Sequence, residues 1–170
     1  MNSNLGNQFS SVLNDQQKSA IQSYTWIGDK SKWKDIASDL AKGNKPKAEK
    51  DEIQTVKTLL NTVQTNSSPA PVGLRSGVNF PKGKGIPKIG DTVEHHLLSA
   101  TTKSQIAEDF SKRGQGKPVI YHYPSGIPAF DIKGHGSFGD EGEHIISGVF
   151  KVQNRYNSDG ITHVGLELKE

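Results

Sequence analysis

Two glutamates in the last third of the chain have the type and spacing to do chemistry. Glu141 and Glu143 lie in the segment Gly136–His144, which reads GSFGDEGEH, at the entry to a predicted strand. Alternate residues of a strand point to the same face, so the two carboxylates share a face. Two like charges held that close resist joint ionisation unless a cation lies between them. The pair therefore suits a positively charged reaction centre.

An arginine upstream offers a cation. Arg75 follows the predicted strand Val72–Leu74 and is followed by Ser76 and Gly77. An arginine at a strand end is most often a surface salt-bridge partner. Its guanidinium can also hold phosphate or carboxylate oxygens in a bidentate way. Position alone does not decide between these roles.

A serine and an aromatic residue complete the set. Ser99 ends the predicted strand Thr92–Ser99, just before a predicted helix, where a serine is commonly a helix cap. Phe138 lies in the glycine-rich loop five residues before Glu143. It could contact an incoming molecule or fold back on the core.

The elements that must position these residues change type along the chain. The first part is predicted to be helical. A capping box at Asn14 and Gln17 precedes an apolar stripe of Ala20, Ile21 and Tyr24. A second stripe runs from Trp33 to Leu40, and a third helix is predicted over 47–65. These stripes are interpreted as core. The segment Asn66–Pro71 breaks the pattern.

Strands dominate after the break. A helix over 103–112 is predicted to face inward through Ile106 and Phe110. The predicted strands are Val72–Leu74, Thr92–Ser99, Pro118–Tyr123, Pro128–Ile132, Glu143–Gln153 and Ile161–Leu168. Helices first and strands later argue for an α+β fold. We expect a single domain over 1–170, with 1–13 as a flexible tail.

Composition excludes several classes of function. There is no cysteine, which excludes disulfides, thiolate nucleophiles and cysteine-type zinc sites. No histidine spacing is typical of a metal site. The sequence shows no secretory signal and no apolar stretch of membrane-spanning length. The net charge of +3 is concentrated in two lysine-rich segments, Lys42–Lys50 and Lys82–Lys88. We interpret these as solvated surface, with a phosphate-rich partner as the alternative.

The order of the blocks resembles the arginine–serine–glutamate class of mono-ADP-ribosyltransferases, which includes binary toxins and phage-encoded transferases. PVGLRSG resembles the first conserved block of that class, SATTKSQIAEDF the serine block, and SFGDEGEHIISGVF the glutamate block. Two departures stand out. Ala100 replaces the middle residue of the usual S-T-S, and Ser76 intervenes between Arg75 and Gly77.

The resemblance implies a fold with N-terminal helices packed on a mixed, mainly antiparallel two-sheet β core. It also implies NAD as the substrate, no metal, and transfer of ADP-ribose to a protein, with arginine as the acceptor because the motif is E-x-E. Glu143 would stabilise the oxocarbenium ion, Ser99 would hold Glu143, and Glu141 with Phe138 would contact the acceptor. The residues implied to contact NAD are Arg75, Ser76, Gly77, Ser99 and Thr101. The lysine-containing segment 82–90 would line the adenosine side.

Two other functions remain open at this stage: an NAD glycohydrolase, and an inactive basic binding module. The expected partner is a protein acceptor in the cytoplasm of a host or target cell, met by a monomer without membrane or nucleic-acid binding. The sequence does not decide between a phage enzyme and a delivered toxin.

Overall fold

A computed structural model of the chain describes residues 13–26, 31–132 and 142–169, and these hold four helices and seven strands. The helices are α1 (Asp15–Trp26), α2 (Ser31–Ala41), α3 (Lys50–Asn66) and α4 (Ser104–Ser111). The strands are β1 (Ser68–Pro69), β2 (Leu74–Phe80), β3 (Thr92–Thr101), β4 (Lys117–Tyr123), β5 (Pro128–Asp131), β6 (Glu143–Ser158) and β7 (Ile161–Leu168). In this part of the chain, no helix has the length and apolar character needed to cross a membrane.

The first helix begins at the predicted capping box. The Asn14 side chain accepts the backbone N–H of Gln17 at 2.7 Å, and the Gln17 side chain accepts the N–H of Asn14 at 2.9 Å. Helices α1 to α3 pack together on one face of the sheet, where they meet Leu97, Phe130 and Ile145. Leu13 is buried in this helical cluster, although the sequence places it at the end of a flexible tail.

The strands form a closed circuit, because β6 pairs with β3 and also with β7, the last strand of the sheet. The first half of β6 pairs with β3 and β5. Its second half pairs with β7, and a register shift between Val152 and Asn154 interrupts that pairing. Strands β3, β2, β4 and β7 complete the circuit, and β4–β7 is the one parallel pair described. A second apolar cluster fills the inside of this circuit. The predicted α+β fold, with helices on a mixed and mainly antiparallel β core, is confirmed.

The strand that carries Arg75 differs from its prediction. It runs over Leu74–Phe80 rather than Val72–Leu74, and Val72 is exposed. Arg75 therefore lies near the start of a strand and not after its end. Glycine at position 77 hides the strand pattern, but a Cβ there would lie 1.8 Å from the carbonyl oxygen of Ala107. Gly77 thus permits the close approach of α4 to β2.

The same close approach reverses the predicted face of α4. Its buried residues are Ala107 and Ser111, whereas Ile106 is half-buried and Phe110 is 38% exposed. Only small side chains fit between the helix backbone and Gly77, so the larger apolar residues are displaced to the side.

Buried histidines predict a loss of stability in mild acid. Burial is the main cause that lowers the pKa of His95 to about 3 and that of His122 to about 4. The unfolded chain binds these protons near pH 6.5, so stability is complete above that pH and falls as the pH drops toward 4. Urea midpoints measured from pH 7 to pH 5 should fall. The slope should flatten in His95→Gln but not in His96→Gln, and equal slopes in both variants would contradict a neutral buried His95.

Candidate active site

Three of the residues singled out in the sequence lie in one row across adjacent strands. Arg75 on β2 is directly opposite Thr101 on β3, and Thr101 is directly opposite Glu143 on β6. Directly opposed residues of antiparallel strands point to the same face. Strands lie roughly 5 Å apart, so the backbone of Arg75 is about 10 Å from that of Glu143. This catalytic row places a guanidinium and a carboxylate on one surface.

Ser99 lies on the same face as the catalytic row, two residues before Thr101. It is not a helix cap, because it lies within β3 and its hydroxyl is 2.7 Å from the hydroxyl of Tyr24. The cap-like bond is made by Thr101, whose hydroxyl accepts the backbone N–H of Lys103 at 3.0 Å. Helix α1 therefore contacts the site through Tyr24.

Tyr24 is a functional candidate that the sequence analysis interpreted only as core. Its ring is fully buried. Burial raises the pKa of its hydroxyl above the ordinary range, and the charge of Glu143 raises it further. Tyr24 therefore keeps its proton and can donate it to Ser99. A tyrosine in an otherwise aliphatic stripe was the available signal, since a buried hydroxyl needs a partner.

The glycine between the two glutamates is held from both sides. Gly142 has a positive φ of 63°, and a Cβ there would lie 2.2 Å from the Thr102 hydroxyl. Its carbonyl oxygen accepts the Thr102 N–H at 3.3 Å and lies 2.9 Å from Nδ1 of His144. These contacts fix the backbone immediately before Glu143. Glu141 and Phe138 lie outside the described residues.

Ser76 and Gly77, which the resemblance implies contact NAD, are covered by other parts of the protein. Ser76 is buried on the opposite face of β2 from Arg75, and its hydroxyl donates to the backbone oxygen of Ser99 at 2.7 Å. It can therefore hold the backbone of Ser99 from the opposite face of the sheet, but it does not point toward the catalytic row. Gly77 is covered by α4.

The residue paired with Arg75 on β4 does not add a second positive charge beside its guanidinium. Arg75 donates to the carbonyl oxygen of Thr102 at 3.4 Å and is half-buried. Its neighbour on β4 is His122, whose Nε2 lies 2.8 Å from Nδ1 of His163. Because the pKa of His122 is about 4, this imidazole is neutral at pH 7. A neutral ring beside Arg75 does not repel it as a second cation would.

The arrangement suits a ligand with an anionic part at Arg75 and a developing cation at Glu143. A charge-assisted bond to a guanidinium fixes the anionic part, and a nearby carboxylate stabilises positive charge. Within the described residues, no cluster of three histidines or acids could hold a metal ion.

The sequence matches no protein-family model and no curated protein. The fold matches the Vis toxin, an ADP-ribosyltransferase from Vibrio splendidus, with a TM-score of 0.68 and 15% identity over 99% of this chain and 84% of that one. An ADP-ribosyltransferase from Clostridium botulinum gives 0.65 and 13% over 99% and 92%. Exoenzyme S from Pseudomonas aeruginosa gives 0.64 and 17% over 98% and 80%.

The chain has the ADP-ribosyltransferase fold. The resemblance stated from the blocks is therefore confirmed at the level of fold. Within this fold, Arg75, Ser99 and Glu143 lie together on one face. The individual roles assigned to them remain predictions.

Alanine substitutions at two glycines with positive φ test whether the contact with Thr102 constrains the turn before Glu143. Gly142 meets Thr102, whereas Gly160 has a φ of 79° and nothing within 4 Å. Alanine at Gly160 should cost about 1 kcal/mol of unfolding free energy from its backbone conformation alone. Alanine at Gly142 should cost about 1 to 2 kcal/mol more, because Thr102 must also move. Equal losses in urea denaturation would show that the contact does not constrain this turn.

Proposed function

We propose that the protein is a mono-ADP-ribosyltransferase that transfers ADP-ribose from NAD to an arginine of a protein in the cytoplasm of a host or target cell. The observation that carries the proposal is the row of Arg75, Thr101 and Glu143 on one face of an ADP-ribosyltransferase fold. A structure of exoenzyme S contains carba-NAD, which supports NAD as the substrate.

Cleavage of NAD breaks the bond between the ribose and nicotinamide. Nicotinamide leaves with the bonding electron pair as a neutral molecule, so no general acid is required. The ribosyl group becomes an oxocarbenium ion, which the Glu143 carboxylate stabilises, as carboxylates do in glycoside hydrolysis. Arg75 holds the diphosphate through charge-assisted hydrogen bonds. The spacing of the catalytic row keeps these two tasks on separate strands.

Helix α1 contributes to the orientation of Glu143 through two hydroxyls. The hydroxyls of Tyr24 and Ser99 lie 2.7 Å apart, and the raised pKa of Tyr24 favours Tyr24 as the donor. The proton of Ser99 is then available to the carboxylate of Glu143. Tyr24 therefore acts as a positioning residue.

An arginine acceptor must be activated before it can attack the ribosyl group. A guanidinium keeps its protons up to a pKa above about 12, so it is a poor nucleophile until a carboxylate orients it and accepts a proton. Glu141 takes that role, and Phe138 contacts the acceptor. A structure of Vis contains agmatine, a guanidinium compound, which supports arginine as the acceptor class.

The role of Tyr24 predicts an effect on turnover that exceeds its effect on folding. Tyr24→Phe removes one hydroxyl and keeps the ring, so kcat for NAD cleavage should fall about tenfold while KM changes little. Tyr123→Phe is the matched control, because its buried hydroxyl lies 2.7 Å from His95 in the strand core. Equal kcat values in the two variants would assign Tyr24 to packing alone.

Radiolabelled NAD and a cell lysate test the function. Wild type should label a protein band that hydroxylamine releases. Glu143→Gln should lose both labelling and NAD hydrolysis, by about a thousandfold or more. Glu141→Gln should lose labelling and keep hydrolysis, because only acceptor activation is removed.

The controls separate the competing functions. Nicotinamide release without any labelled protein, in bacterial and eukaryotic lysates alike, would identify an NAD glycohydrolase. Neither labelling nor hydrolysis would leave an inactive binding module. Equal residual hydrolysis in the two glutamate variants would refute the division of roles.

A further inference from the structure

The end of the strand circuit far from the catalytic row is strongly basic. Its cations come from the loop after β2, the loop after α4, the first residue of β4 and the last part of β6. We call this surface the basic end; its members, all exposed, are Lys82, Lys84, Lys88, Lys112, Arg113, Lys117 and Arg155.

Specific hydrogen bonds gather these segments. The side chain of Asn79 donates to the carbonyl oxygen of Ser111 at 2.8 Å and accepts the N–H of Gly116 at 2.7 Å. These bonds hold the loop after α4 beside the end of β2. Arg155 donates to the carbonyl oxygens of Ile86 and Pro87 at 3.2 and 3.3 Å, which holds the loop after β2 against β6. The positive charges are therefore brought together by the fold.

Acids offset only part of this charge. Asp91 accepts the backbone N–H of Lys88, and Asp109 accepts the side chain of Gln105. The carboxylates within five residues of these cations along the chain are Asp91, Glu108, Asp109 and Asp159. The seven cations outnumber these four carboxylates by three. Within the described residues, none of the seven cations forms an ion pair.

The other lysine-rich segment is different. Lys45 and Lys47 share a cavity of ≈ 360 Å³ with Asp35 and Asp39. Nearby, Lys32 forms an ion pair with Glu52 at 2.8 Å. Charge there is balanced locally, which makes Lys42–Lys50 a natural control.

The basic end does not belong to the catalytic row. Phe80 lies five residues beyond Arg75 along β2, which is about 17 Å. The segment 82–90 follows Phe80, so a ligand at Arg75 would have to extend about this far along β2 to contact it.

An exposed aromatic residue beside the lysines favours a protein over a nucleic acid. Phe110 is 38% exposed, and the guanidinium of Arg113 lies 4.1 Å from its ring centroid. Arginine and aromatic residues are enriched at protein interfaces, where they anchor binding. Helix α4 carries Phe110 and begins just after Thr101, so it connects the two surfaces.

We propose that the basic end is a docking surface for an acidic segment of the protein acceptor. The identity of the partner as the acceptor rests on the proposed function; the existence of the docking surface does not. Attraction between opposite charges raises the local concentration of the acceptor near the cleft. The surface therefore acts on the KM for protein and leaves NAD cleavage unchanged.

Fluorescence anisotropy with a labelled glutamate-rich peptide tests the docking surface. A glutamine-rich peptide of the same length and an oligothymidylate serve as comparison probes. The test variant changes four members of the basic end to glutamine: Lys82, Lys84, Lys112 and Lys117. The control variant changes four lysines of the other segment: Lys42, Lys45, Lys47 and Lys50.

The test variant should bind the glutamate-rich peptide about tenfold more weakly than wild type, and the control variant should bind it within about twofold. Added salt should reduce the difference. At saturating NAD, both variants should hydrolyse NAD at the wild-type rate, because neither changes Glu143 or Arg75. With arginine peptides as acceptors, the test variant should raise the KM of a peptide with a glutamate-rich tail and not that of one with a glutamine-rich tail.

Two results would overturn the proposal. Equal weakening in both variants would show that total charge, and not the basic end, attracts the peptide. Tighter binding of the oligothymidylate, lost in the test variant, would make the surface a nucleic-acid site. If NAD were not hydrolysed by any variant, the anisotropy result would still decide the docking surface, and the proposed function alone would fail.

Discussion

The register between β2, β3 and β6 is the constraint on which the rest of the structure depends. It places Arg75 opposite Thr101 and Thr101 opposite Glu143. A slip of one residue in any of these strands would turn that side chain to the opposite face. The circuit of strands prevents such a slip, because β6 is paired on β3 by its first half and on β7 by its second half. Buried side chains on both faces of β3 add to this specification.

Helices α1 and α4 each contact a strand that carries the candidate site. Tyr24 reaches from α1 to Ser99, and α4 lies so close to β2 that Gly77 must lack a side chain. In the catalytic row, Arg75 and Glu143 stay half-buried, whereas Thr101 is buried. The left-handed backbone at Gly142 then brings the chain into β6 with Glu143 already in register. Fold and site are thus specified by the same few contacts.

Much of the fold could be predicted from the sequence because its signals are local. The capping box at Asn14, the closing strand Ile161–Leu168 and the helical part before Asn66 depend on nearby residues, and they are confirmed. The strand over Leu74–Phe80 was predicted too short, because Gly77 and Ser76 serve packing that involves α4 and β3. Ser76 was assigned to NAD contact by the resemblance, and it is buried on the face opposite Arg75.

The site shows the same division. The order of the arginine, serine and glutamate blocks selected Arg75, Ser99 and Glu143, which lie on one face of the sheet, and their roles stay predictions. The partner of Ser99 lies 75 residues away, at Tyr24, and no local pattern reveals that distance. The exposure of Phe110 and the path of the lysine segment after β2 likewise follow from tertiary packing, which one sequence does not encode in any short window.

A crystal structure of the protein with carba-NAD tests the central claim most directly. The account predicts that the ribose next to the nicotinamide lies within hydrogen-bond distance of the Glu143 carboxylate, with the diphosphate on the guanidinium of Arg75. An analogue bound on another face, or with its ribose beyond the reach of Glu143, would contradict it.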